Sequence, residues 1–309
     1  MRNDSALYKK AGILTLVFLL LFCGCSGGRE RHREEEAPAI HEETEENTAA
    51  ETEKNTAEAV ITEMNWENYF DGINGSAVIY NPSKNRYQIY NQEMALARRS
   101  PCSTFKIVSS LIALENKVIA PDHSARTWSG ERFWNENWNK DMDFENAFRT
   151  SCVWYYREII DEIGKDMMQE ELDKLRYGNC DISDWEGYLN TNNNNRSSTG
   201  FWIESSLKIS PKEQVEVMER IFGENSVYSQ ATQDALKQVM LLQDSNSSKA
   251  SIYGKTGMGK SHGVAVDAWF TGFSDATEGR VYFCVYLGET EGKDVSSAKA
   301  KEIAVRLLN

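Results

Sequence analysis

The chain has 309 residues and a formal net charge of −13, from 47 acidic and 34 basic side chains. That balance argues against nucleic acid as a partner, because phosphate binding needs clustered Lys and Arg. Six cysteines in so long a chain do not make a disulfide scaffold, and the length is enough for one large core.

The charge is unevenly spread: residues 1–24 sum to +2, residues 26–60 to −7 and residues 61–309 to −8. Residues 1–24 read as an export signal, with Arg2, Lys9 and Lys10 ahead of an apolar run from Ala11 to Phe22 that is short for a membrane span. Its end, Cys23-Gly24-Cys25, resembles the lipobox of bacterial lipoproteins. That resemblance implies a lipid on Cys25 and a protein held at the outer face of the bacterial cell membrane; ordinary secretion and an uncleaved anchor are the alternatives. The glutamate-rich residues 25–60 hold little that a core could use, and they predict a solvated tether. From residue 61 the composition is globular, and no later stretch is apolar and long enough to cross a membrane.

Within the body, Ser76–Tyr80 and Arg86–Tyr90 predict strands around the turn 81–85. The portion from Phe105 to Met240 predicts mostly helix. Ser210-Pro211-Lys212-Glu213 marks one helix start, with a capping box, proline at the first helical position and Gly223 as the stop. Residues 187–200, rich in Asn, Ser and Thr, predict a loop. Ala250–Lys255, Ala265–Phe273 and Val281–Leu287 predict strands, and Ala298–Leu308 a closing helix. Strands at both ends with helices between predict an α/β chain of the α+β type: one antiparallel sheet built from the two ends, flanked by helices, with a mostly helical lobe inserted.

The chemistry centres on Pro101-Cys102-Ser103-Thr104-Phe105-Lys106, which leads into the apolar run 107–115. In a helix, Ser103 and Lys106 share a face, setting a hydroxyl beside an amine. A serine becomes a good nucleophile only with a base in reach, and a buried lysine can be that base. A capped helix with a solvated lysine has the same four-residue pattern, so the pattern carries weight only with partners. Three follow in order: Ser151-Cys152-Val153, Tyr177-Gly178-Asn179 and Lys255-Thr256-Gly257. The four histidines show no metal-ligand spacing and no triad partner, there is no glycine-rich phosphate loop, and no metal site is expected.

With these motifs, and with Phe201-Trp202-Ile203-Glu204 and Leu207-Lys208-Ile209-Ser210, residues 65–309 resemble the penicillin-recognising serine enzymes, most closely the class D β-lactamases. The resemblance implies hydrolysis of the β-lactam amide through an acyl-enzyme on Ser103. Lys106, carbamylated by carbon dioxide, would be the general base, and no other cofactor is implied. Phe105, Val153, Trp202 and Tyr156 would form the apolar surround that keeps the amine neutral. Ser151 would pass a proton toward the leaving nitrogen, and Lys255 and Thr256 would meet the substrate carboxylate. The N–H groups of Ser103 and Met258 would form the oxyanion hole, Gly257 and Gly259 would admit the substrate to the strand, and Tyr177 and Asn179 would shape the wall.

Two departures stand out. No arginine precedes the closing helix, where Ser297-Ala298-Lys299-Ala300-Lys301 stands, which leaves the carboxylate to Lys299, Lys301 or Lys255 with Thr256. Cys102 and Cys152 flank the two serines, and with Cys180 and Cys284 they read as buried thiols, pairing across the site being the alternative. The resemblance also reaches the sensor domain of β-lactam-responsive membrane receptors, which stay acylated, and the cell-wall transpeptidases, which the second motif disfavours.

Overall fold

The computed structural model describes residues 58–189, 196–242 and 250–309. The expected export signal, the lipid on Cys25 and the tether through residue 57 lie outside the described residues, as do positions 190–195 of the expected loop.

Among the described residues six strands, β1 (Val60–Glu63), β2 (Gly75–Asn81), β3 (Arg86–Tyr90), β4 (Ser251–Ser261), β5 (Val264–Ala276) and β6 (Gly279–Gly288), form one sheet in the order β1-β3-β2-β6-β5-β4. The early and late parts of the chain meet where β2 pairs antiparallel with β6, Val78 opposite Cys284. Five strands are antiparallel, as expected. The sheet is nevertheless mixed, because β1 pairs with β3 in parallel. This edge strand escaped sequence reading for a physical reason: three of its four residues are exposed, so no alternation of apolar and polar residues marks it. The central strands are buried on both faces and therefore read as unbroken apolar runs. In β6, Tyr282, Cys284 and Tyr286 enter the core on one face while Phe283, Val285 and Leu287 enter that on the other.

Among the described residues the helices are α1 (Glu67–Phe70), α2 (Gln92–Leu96), α3 (Lys106–Glu115), α4 (Phe144–Thr150), α5 (Val153–Ile163), α6 (Lys165–Leu175), α7 (Pro211–Phe222), α8 (Gln230–Met240) and α9 (Ser297–Leu308). Helices α1 and α9 cover one face of the sheet, through Phe70, Ala300 and Ile303. The larger core, on the other face, joins the sheet to α3, α7 and the inserted lobe. Helix α3 is apolar on almost every side and is buried from Lys106 to Leu114, which makes it the axis of the lobe. The expected start of α7 is present in full: Ser210 Oγ accepts from the Glu213 N–H at 3.2 Å, and the Glu213 carboxylate accepts from the Ser210 N–H at 2.9 Å.

The middle portion carries α3 to α8, as expected, while residues 116–143 run as turns and bridges with a single 3₁₀ turn at Glu136–Trp138. One expectation needs revision. Strand β4 continues six residues beyond Lys255, to Ser261, because Gly254, Gly257 and Gly259 erase the apolar pattern without ending the strand. All four cysteines of the described body are free thiols.

Candidate active site

Ser103 lies in a 3₁₀ turn, Cys102–Phe105, that runs directly into α3. Cys102 takes a left-handed φ of 49°, a conformation that disfavours any side chain. Neighbouring chain holds it there: the Cys102 N–H and the Ser100 hydroxyl both donate to the Trp202 carbonyl, at 3.0 and 3.1 Å. Lys106 opens α3, and its Nζ lies 3.1 Å from Ser103 Oγ. The lysine is fully buried, with the Tyr156 ring centroid 5.0 Å from Nζ. Burial disfavours the ammonium and lowers the Lys106 pKa to about 8.

Ser151 sits across the cleft at the elbow where α4 ends, again in a left-handed conformation, with φ 60°. Two indoles stitch this elbow: Trp138 Nε1 donates to the Thr150 carbonyl at 3.0 Å and Trp154 Nε1 to the Trp138 carbonyl at 2.8 Å. Lys255, on β4, donates to Ser151 Oγ at 3.1 Å and to the Thr256 carbonyl at 3.0 Å. It too is buried, and burial first, then the charge of Lys106, lowers its pKa to about 7. Two serine hydroxyls are thus each matched with a lysine whose proton is loosely held, in one apolar enclosure.

Strand β4 reaches this enclosure because of a glycine. A Cβ on Gly257 would fall 2.9 Å from the Pro101 carbonyl oxygen and 3.0 Å from Thr104 Cγ2, so a side chain there would push the strand off the Ser103 turn. The resulting cleft, about 220 Å³, is lined by Ser103, Ser151, Val153, Thr256, Gly257 and Met258. Met258 is partly exposed at its mouth.

The remaining expected residues support the site from behind. Trp202 is buried, stacked on Phe105 with centroids 6.1 Å apart, and the Arg157 guanidinium lies 5.4 Å from its ring. Its indole makes no hydrogen bond to the Lys106 amine. Tyr177 meets Phe105 edge-on at 5.5 Å, and its buried hydroxyl points toward Thr104 and Gln214 without hydrogen-bond geometry. Asn179 ties two segments together, accepting from the Lys208 N–H at 2.8 Å and donating to the Ser206 carbonyl at 2.9 Å. Of the cations weighed for the carboxylate, Lys299 is engaged with Glu302 at 3.0 Å, whereas Lys301 lines an adjoining cleft with Arg149, Lys255 and Thr256. His123 pairs with Asp122 at the surface, and His262 occupies an exposed hairpin turn.

Sequence reading missed Ser100, Trp134, Trp138 and Ser297. Trp134, Trp138 and Ser297 line the cleft, and Ser100 braces the serine turn. A signal existed for the tryptophans, a run of aromatic residues within a polar, Asn-rich stretch, but nothing local tied it to a site.

The chain matches the family model described as penicillin binding protein transpeptidase domain over residues 73–309. It is 31% identical over 249 residues to the probable β-lactamase YbxI of Bacillus subtilis, covering 80% of this chain and 85% of that protein. It is 30% identical over 254 residues to the regulatory protein BlaR1 of Bacillus licheniformis, covering 80% of this chain but only 39% of that longer protein. Among solved structures, the class D β-lactamase from Sebaldella termitidis superposes with a TM-score of 0.70 at 29% identity, over 81% of this chain and 97% of that one. Taken with the paired serines and lysines, these likenesses establish that the chain belongs to the penicillin-binding protein transpeptidase family, in the branch of the class D β-lactamases.

Proposed function

We propose that the protein hydrolyses the amide bond of penicillins and related β-lactams through an acyl-enzyme on Ser103. The observation that carries this reading is the pair of serine–lysine contacts, each 3.1 Å, at buried lysines. The base at Lys106 takes the Ser103 proton as Oγ bonds to the lactam carbonyl carbon. The N–H groups of Ser103 and Met258 receive the oxyanion, each such donor being worth about 2.7–4 kcal/mol in comparable sites. The C–N bond then breaks, and the nitrogen takes a proton from Ser151, which Lys255 replenishes. The proton held by the base passes on to Lys255, and the freed base then takes a proton from water as its oxygen bonds to the acyl carbon; the acyl C–O bond breaks, that proton goes to Ser103 Oγ, and the acid leaves.

A buried, partly neutral amine suits carbamylation by carbon dioxide, which when present supplies an anionic base at Lys106. Trp202, which stacks on Phe105, then offers its indole N–H to a carbamate oxygen. On the same reading, Thr256 and Lys255, with Lys301 beside them, receive the substrate carboxylate. Lipid attachment at Cys25, with the protein at the outer face of the bacterial cell membrane, is proposed from the sequence alone.

A second reading is a receptor that stays acylated, and it is favoured by the 30% identity to a regulatory protein. An intact-mass time course with a modest excess of a penicillin separates the two. We expect an adduct on Ser103 that appears and then decays while hydrolysed penicillin accumulates, and no adduct in Ser103→Ala. An adduct persisting for hours makes the protein a receptor, and a wild-type chain that takes no adduct overturns both readings.

A further inference from the structure

Glu204 follows Trp202 by two residues and adopts a left-handed φ of 52°, which a glutamate holds only where its surroundings compel it. Both its backbone and its side chain are engaged across the fold. The Glu204 N–H donates to Ser100 Oγ at 2.8 Å, and that hydroxyl donates to the same Trp202 carbonyl that receives the Cys102 N–H. The Glu204 carboxylate accepts from the Lys260 N–H at 2.6 Å, on β4.

The place of Lys260 gives that contact its meaning. The β4–β5 register shifts between Gly259, opposite Asp267, and Lys260, opposite Ala265, so the extra residue, Val266, is in β5 and the β4 backbone runs on without a bulge. Along such an edge strand alternate N–H groups face the neighbouring strand or the open edge. Because Lys260 gives its N–H to Glu204, the N–H of Met258, two residues earlier, faces the same open edge. Gly257, the residue before Met258, packs closely on the Ser103 turn, so this stretch of β4 lies beside the nucleophile.

We propose that Glu204 is a positioning residue for acylation: its carboxylate pins the outward N–H row of β4 while its backbone braces the turn that carries Ser103. One residue thereby sets the separation between the nucleophile and the second oxyanion donor, Met258. The inference rests on the reading that Ser103 is acylated.

The test is the rate of Ser103 acylation by a chromogenic cephalosporin, read alongside the dissociation constant of the initial complex and the melting midpoint. Glu204→Gly relieves the left-handed backbone while deleting the carboxylate, so folding is spared and the latch is lost. It is expected to acylate roughly ten- to a hundredfold more slowly, since small misplacements of a reacting pair carry that cost, with binding and melting little changed. Glu204→Gln keeps an oxygen that accepts from Lys260, and it is expected to stay within about threefold of wild type. Ser100→Ala cuts the backbone brace and should slow acylation in the same direction. A Glu204→Gly protein that acylates within about threefold of wild type, or a Glu204→Gln protein that falls as far as Glu204→Gly, overturns the assignment. If wild type acylates and Glu204→Gly matches it, only this inference fails; if wild type takes no adduct, the functional reading fails with it.

Discussion

Lys106 illustrates how burial turns an ordinary residue into a reagent. Its pKa is held near 8 by desolvation, with Ser103 Oγ at 3.1 Å ready to lose a proton to it. Only the neutral amine can add carbon dioxide, and each unit of pH below the pKa reduces the neutral fraction by roughly tenfold. Turnover is therefore expected to fall as pH drops from about 8 toward 6, and added bicarbonate to restore part of the loss. Steady-state hydrolysis measured at several pH values, with and without bicarbonate, checks this. Rates indifferent to both would remove the carbamate from the mechanism. Ser151 and Cys102 make a related point, since each sits in a left-handed conformation that local preference opposes, and each does so beside a reacting group.

At the scale of elements, the two serines depend on segments far from them in sequence. The Tyr177-Gly178-Asn179 turn secures the chain at 206–208 through Asn179, and the same chain leads back to Trp202 and the Ser103 turn. Gly178 has a φ of 56°, and a Cβ there would lie 1.9 Å from the Lys208 carbonyl oxygen. Gly178→Ala is accordingly expected to destabilise the protein by about 2 kcal/mol or more, because it adds both strain and a backbone clash. Ser210→Ala removes only one arm of the α7 capping box and should cost about 1 kcal/mol. Thermal denaturation of the two variants side by side tests the order, and an equal loss in both would mean that the turn relaxes at little cost. The capping box was legible beforehand because its partners stand three residues apart. The constraint on Gly178 was not, because its neighbour is thirty residues away.

For the molecule as a whole, bringing two lysines into one enclosure opposes folding at neutral pH. The pKa values of Lys106 and Lys255, about 8 and about 7, both lie below that of an unfolded lysine. Between these values and the ordinary lysine range the unfolded chain binds more protons than the folded one, so stability rises with pH there. The usable window is about pH 7 to 8.5, since burial also raises the Cys102, Cys152 and Cys284 thiols, and their ionisation in the unfolded chain reverses the trend above it. We expect the melting midpoint to climb through this window in wild type. Lys106→Met should melt higher at neutral pH and climb less, because the costly buried amine is gone. A wild-type midpoint that is flat or falling from pH 7 to about 8.5 would contradict the burial of these amines.

The sequence by itself determined the chemistry to be expected and the class of fold. The spacing of Ser103 and Lys106, the ordered Ser151-Cys152-Val153 and Lys255-Thr256-Gly257 triplets, the capped start of α7 and the apolar runs of β5 and β6 are all short-range patterns, set by helix and strand periodicity. Tertiary structure alone decided how those patterns meet. It paired β2 with β6, carried β4 through its glycines to the Ser103 turn, set β1 as a parallel edge, kept the four thiols apart and raised the Trp138 and Ser100 braces around the serines. The physical reason is one of range: a pKa lowered by burial, or a carboxylate that catches an N–H fifty-six residues away, depends on neighbours that no window of sequence contains.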